Sequence, residues 1–517
     1  MRSTFHGLET ARRGMFTQQT ALETTGHNIA NANTPGYSRQ RVNFVQTEPY
    51  PAPAMNRPQI PGQMGTGVKA GTIERVREKF LDLQYREENN ELGYWAAKAE
   101  ALAKMEEIMN EPSEEGLSKT LDRFWQSLQD LAANPHDAGA RSVVRQRGLA
   151  VAETFNYLFD SLKAIQSDFQ KQIDVTINQI NSIARQINNI NKQIGDIEPH
   201  GYLPNDLYDE RDRLLDELSH LVKIDIDVVN SGTKVSQGGN TLDIAEGKFT
   251  VYLLDANGNR LNPPLVDASN YTTNTLSVTY GGANGAVSQF ELTDPLGVVT
   301  PYSYNAFQVN GKLKGLVDSY GYDNGGVDNG VFPDMIRDLD AMAQALVQYF
   351  NQVHRQGFDL DGDTNNDFFT YAAGKMGLDP LITTSLNNIS AGLTNSVGDG
   401  NNAFELGRVL KDSQVSVGGV PTNIMIAGNN TDISSFYEGM IGRMAVDAQE
   451  AERIKGNRET LRQSVEERRQ SVSGVSLDEE MGNMIQFQHA YNASARMITA
   501  IDEMLDRIIN QMGLVGR

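Results

Sequence analysis

Between Phe155 and Ile197, large apolar residues return every three or four positions without a lapse. They are Phe155, Leu158, Leu162, Ile165, Phe169, Ile173, Ile177, Ile180, Ile183, Ile187, Ile190, Ile194 and Ile197. A strand would need a period of two, so this is one long helix with a single apolar stripe. At 1.5 Å per residue the stripe runs for roughly 65 Å. Three steps of four meet near Phe169–Ile177, a stutter that unwinds a supercoil locally. Pro199 and Gly201 then break the helix. An ordinary bundle helix and a load-carrying rod in an elongated subunit both satisfy this pattern.

The chain ends carry a second pattern. Residues 4–30 read as an amphipathic helix in which Leu8, Met15, Leu22 and Ile29 recur every seventh position, with Phe5 and Ala11 beside them. Gly7, Gly14 and Gly26 interrupt it, at a cost of roughly 3 kcal/mol against alanine. Such a helix needs a partner surface. Pro35-Gly36 ends it in a pair suited to a type II turn. At the other end, Ser476 and Glu479 form a capping box. Leu477, Met484, Tyr491, Ile498, Leu505 and Met512 then fall on one seam, widened by Phe487, Ile501 and Ile508, with Gly513 expected to cap the end. The natural mate for that seam is 4–30, so the two ends should pair as a coiled coil.

What lies between is mixed. Residues 37–75 are extended: Pro49, Pro51, Pro53, Pro58 and Pro61 forbid a long helix, and Gly67 to Ile73 suits a short strand. The glycines there (Gly62, Gly65, Gly67, Gly71) do not have dinucleotide-binding spacing. Residues 78–133, 206–221 and 333–356 read as helix, as does the chain from Ser435 onward. Residues 224–310 are rich in Val, Thr, Tyr, Gly and Asn, with turn pairs such as Asn257-Gly258, and read as a β-rich insertion. Residues 357–432 are Gly/Asn-rich with short elements. The expected fold class is mainly α with a β-rich insertion, in an elongated multidomain chain. Residues 1–45 with 473–517 would form the coiled-coil domain, 46–223 with 311–472 the helical-bundle rod, and 224–310 an outer domain.

Composition narrows the function. The chain has 517 residues and a formal net charge of −21, which disfavours nucleic acid and anionic membrane surfaces. There is no cysteine, hence no disulfide, thiolate catalysis or Cys-ligated metal. A cysteine-free chain suits either a reducing compartment or passage through an export channel unfolded. Met1-Arg2-Ser3-Thr4-Phe5-His6-Gly7 lacks the apolar region of a secretory signal, and no stretch is long enough to span a membrane.

The sequence nominates no catalytic residue, cofactor or metal. The seven histidines (His6, His27, His136, His200, His220, His354, His489) form no H-E-x-x-H or close pair, and there is no nucleophile elbow or Walker loop. Asp359, Asp361, Asp363, Asn365 and Asp367 alternate as in a calcium loop. Counted from Asp361, however, Asn366 stands where glycine is needed and Ala372 where a bidentate glutamate is needed. An Asx-rich turn is expected instead.

The run Asn28-Ile29-Ala30-Asn31-Ala32-Asn33-Thr34-Pro35-Gly36-Tyr37 resembles the N-terminal motif of bacterial flagellar axial proteins: rod, hook and hook-associated. Its continuation, Ser38-Arg39-Gln40, is similar to the hook-associated protein 1 family in particular. Gly65 to Val68 with Arg75, Phe80, Leu81 and Gln84, then Asn205 to Asp212, then Asn351, His354, Gly357, Asp359, Leu360, Gly362, Phe368 and Phe369, then Ser473 to Glu480, agree in order, as do Gln486 to Gln488 with Ala490, Tyr491 and Asp502 to Asp506. The resemblance covers nearly the whole chain apart from about 226–310.

The resemblance implies a structural subunit of the hook–filament junction, outside the cell. It would be exported unfolded through the flagellar type III apparatus on an uncleaved N-terminal signal, after an export chaperone had bound its C-terminal helical region. Its partners would be copies of itself, hook protein and the next hook-associated protein. Rival expectations are a rod or hook subunit, a secreted calcium-dependent adhesin and a cell-wall hydrolase. Ser38-Arg39-Gln40 and the isoleucine rod count against the first, and no carboxylate spacing nominates the last.

Overall fold

The computed structural model describes residues 4–55, 62–231, 242–282, 285–372, 374–396 and 398–511. Pro58, Pro61, Met512 and Gly513 lie outside the described residues. Helix α1 (Thr4–Ala30) is followed by the antiparallel hairpin β1 (Gln40–Gln46) and β2 (Val68–Arg75). Then come α2 (Lys79–Met109), α3 (Leu117–Ala133), α4 (Ala138–Ile197) and α5 (Asn205–Leu221). One sheet has the order β3 (Ile224–Val229), β4 (Lys248–Leu253), β5 (Val266–Asp267), β6 (Thr272–Thr273). A second is built on β7 (Thr275–Tyr280), β8 (Val287–Thr293) and β9 (Val299–Ser303). After α6 (Tyr304–Phe307) and α7 (Lys312–Tyr320), β10 (Tyr322–Asp323) and β11 (Asp328–Asn329) extend that second sheet.

Helix α8 (Val331–Gln356) returns along the rod. Hairpin β12 (Phe369–Ala372)–β13 (Lys375–Leu378), α9 (Pro380–Thr384) and α10 (Asn401–Lys411) follow. Two more hairpins come next: β14 (Gln414–Val417)–β15 (Val420–Asn423) and β16 (Met425–Ile426)–β17 (Asn429–Asn430). The chain ends in α11 (Ile433–Ser473) and α12 (Leu477–Asp506).

Helix α4 is the organising rod. It spans 60 residues, roughly 90 Å, and starts well before the isoleucine stripe. Asp137 sets that start, its carboxylate accepting from the Gly139 and Ala140 N–H groups. The helix expected over 78–133 is in fact two. Asn110 leaves α2 in the left-handed region at φ 44°, and Pro112 follows. Of the thirteen stripe residues only Ile165 and Ile197 are not fully buried. Burial of each contributes about 1.5–3 kcal/mol. Helices α3, α5, α7 and α8 and strand β13 pack on α4.

The Gln/Asn side of the rod is not simply a solvent face. Asn181 donates to the Leu276 carbonyl at 2.8 Å and accepts the Leu276 N–H at 2.8 Å. Asn191 makes the same two bonds with Phe249, at 2.9 and 3.1 Å, and Asn188 donates to Tyr271 at 2.9 Å. Each clamp satisfies a backbone pair that burial would otherwise leave costly. The strands of 224–303 are therefore seated on α4, and Val251, Leu253, Leu276 and Phe290 continue the rod's own core.

Candidate functional site

Helices α1 and α12 lie antiparallel: Gly7 meets Ile501, Gly14 meets Ser494 and Asn28 meets Glu480. A Cβ on Gly7 would stand 3.2 Å from Ile501 Cδ1, and one on Gly14 would stand 3.2 Å from Ser494 Oγ. Two of the glycines that weaken α1 by propensity thus lie directly against side chains of the partner helix. Ala11, Thr17, Ala21, Thr24, Thr25 and Asn28 are the buried residues of α1. Leu8, Met15, Leu22 and Ile29 are half-buried, as are Met484, Tyr491, Ile498 and Leu505 across from them. Leu477 opens α12 and is 48% exposed. Among the described residues, α12 buries only Glu480 and Ile501.

The hairpin β1–β2 runs along α1. Arg13 donates to the Thr66 carbonyl at 3.2 Å and Thr17 to that of Val68 at 3.1 Å. Phe44 of β1 meets Phe487 of α12 edge-on at 5.9 Å between ring centres.

The asparagine motif forms the base of this pair. Asn28 is 1% exposed and uses every bond its amide can make. It donates to the Gln40 carbonyl at 2.8 Å and to Glu480 at 3.2 Å, and accepts from Gln40 N–H at 3.0 Å and Tyr37 OH at 2.8 Å. Asn31 donates to the His27 carbonyl at 3.1 Å and accepts from the Thr34 hydroxyl at 3.1 Å. Asn33 and Pro35 are exposed. Gly36 takes φ +82° and Tyr37 N–H returns to the Thr34 carbonyl at 3.2 Å, closing the expected turn.

The next three residues reach the rest of the molecule. Ser38 N–H donates to Asp209 of α5 at 3.0 Å. Arg39 N–H donates to the Ser473 carbonyl at 2.8 Å, and its guanidinium pairs with Glu479 and Glu480, both at 2.7 Å. Gln40 donates to Asp206 at 3.0 Å and accepts from Asn205 at 3.2 Å. The capping box is therefore partly redirected: Ser476 accepts the Glu479 N–H at 3.5 Å, while the Glu479 carboxylate goes to Arg39.

Below them is a buried ionic hub. Arg75 binds Asp209 at 2.7 Å, Asp212 at 3.0 Å and also Glu246. Arg77 grips Asp82 at 2.7 Å and Arg86 binds Asp216 at 2.8 Å and Asp212 at 3.2 Å. Arg469 of α11 adds its charge to Asp216 and lies over the Tyr85 ring at 4.1 Å. Burial alone would raise the Asp212 carboxyl, but Arg77, Arg75, Arg86 and Arg211 outweigh it and hold the group well below the usual carboxylate range. Such a network contributes geometry more than net stability. It fixes how the chain ends leave the rod. Arg75, Asp209 and Glu480 were visible only as parts of recurring stretches; nothing in their spacing shows that they converge.

No helix among the described residues is long and apolar enough to cross a membrane. Among the described residues no three His, Asp or Glu side chains are placed to hold a metal ion. The aspartate loop is self-satisfied: Asp359 accepts from the N–H groups of Asp361 at 2.9 Å and Asp363 at 2.8 Å, and Asp367 pairs with Arg355 at 2.5 Å. His354 is fully buried, its Nε2 accepting from Ser390 N–H at 3.0 Å and its Nδ1–H donating to the Asn366 carbonyl at 2.7 Å.

A family model described as the flagellar hook-associated protein FlgK helical domain matches residues 102–369. The chain is 44% identical, over the full length of both, to flagellar hook-associated protein 1 of Bacillus subtilis (strain 168). The chain belongs to the flagellar hook-associated protein 1 family. Membership makes it a structural component of the flagellum at the hook–filament junction. The Escherichia coli (strain K12) member is 24% identical, covering 97% of this chain and 99% of its own. The solved flagellar hook junction protein FlgK from Burkholderia pseudomallei has the same fold at TM-score 0.58 and 12% identity, covering 77% of this chain and 100% of its own. The ends match broader models: residues 8–37 a flagella basal body rod protein, and 468–512 a flagellar basal body rod FlgEFG protein C-terminal region. The broader models cover most of α1 and all of α12, whereas the hook-associated model runs from within α2 to the start of β12.

Proposed function

We propose that the α1–α12 pair is the assembly element, and that copies of this chain build the inner layer of the junction by packing these helices against one another. The observation that carries the reading is the width of the apolar band on α12. In a two-helix coil the positions flanking the seam are charged. Here Met481, Met497 and Met504 flank it, with Ile509 in the turn just after α12, all more than half exposed. Phe5 and Phe16 stand exposed on α1. One partner helix cannot cover that band, whereas neighbouring copies related by a rotation and a rise along an axis can.

In this reading 1–45 with 473–517 form the inner domain, 46–223 with 311–472 the rod, and 224–310 an outer domain. The half-buried coil stays loose in the free chain and orders when neighbours supply apolar surface. Looseness and the absence of cysteine suit export unfolded through the type III apparatus without a cleaved signal. A chaperone covering the C-terminal helices beforehand would mask the same apolar band. Outside the cell, hook protein lies on one side and the next hook-associated protein on the other. The role is structural, with no catalytic step.

Deleting the gene in its host and imaging the cells tests this. Hooks without filaments, with flagellin monomer shed to the medium, are the expected result. Normal filaments would overturn the reading, and loss of hooks would move the chain to an earlier axial position.

A further inference from the structure

The helical methionines of this chain differ sharply in exposure. Those of α2, α8 and α11 are sealed: Met105 is 1% exposed, Met342 0% and Met440 2%. Those flanking the α12 seam are open: Met481 is 51% exposed, Met497 55% and Met504 51%. No other helix among the described residues carries an exposed methionine. With no cysteine anywhere in the chain, no thiol competes for oxidants. The exposed thioethers are its most readily oxidised side chains.

We propose that Met481, Met497 and Met504 form a reversible oxidation site that governs whether α12 can be incorporated. This rests on the assembly reading above. The oxidant is a hydroperoxide. A methionine sulfur lone pair attacks the outer peroxide oxygen; the S–O bond forms, the O–O bond breaks, and the transferred oxygen's proton passes to the departing oxygen, which leaves as water or alcohol. Sulfur loses two electrons and the peroxide gains them. The sulfoxide is a polar acceptor in place of an apolar group. Seated against a neighbouring helix it would be buried without a donor. A dithiol reductase reverses the change, its dithiol becoming a disulfide as water is released. Once the helix is packed in the junction, neighbours exclude the oxidant, so the site responds only before assembly.

The test uses the full-length chain and isolated hooks. The chain is treated with hydrogen peroxide, sulfoxides are mapped by mass spectrometry, and addition to hooks is compared with the untreated sample. Oxidation at the three positions is expected to reduce addition by about tenfold or more. Methionine sulfoxide reductase with a dithiol should restore it. A chain carrying Met481→Leu, Met497→Leu and Met504→Leu, compared with its own untreated sample, should be insensitive. A chain carrying Met55→Leu and Met425→Leu, which removes exposed methionines away from α12, should remain sensitive. Without any variant, the three sulfoxides should form much more slowly in assembled junctions than in the free chain.

Sulfoxide at the three positions with unchanged addition would overturn the proposal while leaving assembly through α12 standing. Equal oxidation rates in free and assembled chains would do the same. Failure of the untreated chain to add to hooks would instead remove the assembly reading, and this inference with it.

Discussion

The Asn28 side-chain amide donates to the Glu480 carboxylate at 3.2 Å, joining the two ends of the chain across 452 positions. Glu480 is 2% exposed and also takes the Arg39 guanidinium. Glu480→Ala leaves a buried amide hydrogen and an arginine without their acceptor. The expected loss is about 3 kcal/mol, read as faster amide exchange at the start of α12 while α4 keeps its protection. Unchanged exchange in α12 would show that this contact does not hold the ends together.

The glycines of α1 should separate by position. A Cβ on Gly26 meets nothing within 4 Å, so Gly26→Ala should stabilise α1 by up to about 1 kcal/mol. Gly14→Leu should instead push α12 away, because Ser494 Oγ already lies 3.2 Å from the Cβ position. Helicity of the free chain and recovery of filaments in complemented cells would rank the two.

Much of the fold was legible because it rests on period. The isoleucine stripe, the α8 stripe and the α12 seam each follow from apolar spacing, and α4, α8 and α12 follow from them. The break between α2 and α3 was written in Pro112, yet the apolar residues on either side hid it. The site was legible in part. The seam positions from Leu8 to Ile29 and from Met484 to Leu505 are only half-buried, and Gly7 and Gly14, which carry no apolar signal, lie against Ile501 and Ser494. The backbone clamps made by the asparagines of α4 were not legible, because polarity alone does not reveal a partner far along the chain. Five helix asparagines (Asn28, Asn156, Asn181, Asn191 and Asn351) each clamp both the N–H and the carbonyl of one extended residue.

Breaking one such clamp has a defined cost. Asn181→Ala leaves the buried N–H and carbonyl of Leu276 without partners, for a loss of about 2–3 kcal/mol. Denaturant unfolding of the purified chain measures it. Asn181→Asp should not rescue the loss, since a carboxylate cannot donate to the carbonyl.

His354 gives the chain an acid-side limit. Burial pushes its imidazole down to about 4, against the hydrogen bond to Asn366 that pulls the other way. The unfolded chain takes up a proton near pH 6.5 and the folded chain does not. Stability from this residue is therefore full above pH 6.5 and falls as the pH drops towards 4, by about 3 kcal/mol in all. Unfolding midpoints from pH 7 to 4 should show this slope, and His354→Gln should remove that part of it.

The central claim is that the end helices complete their packing only in the assembled junction. Hydrogen exchange followed by mass spectrometry, on the free chain and on the chain assembled on hooks, tests it most directly. The account predicts weak protection of 4–30 and 477–506 in the free chain, strong protection of α4 in both states, and a large gain at both ends on assembly. Full protection of both end helices in the free chain, unchanged on hooks, would contradict it.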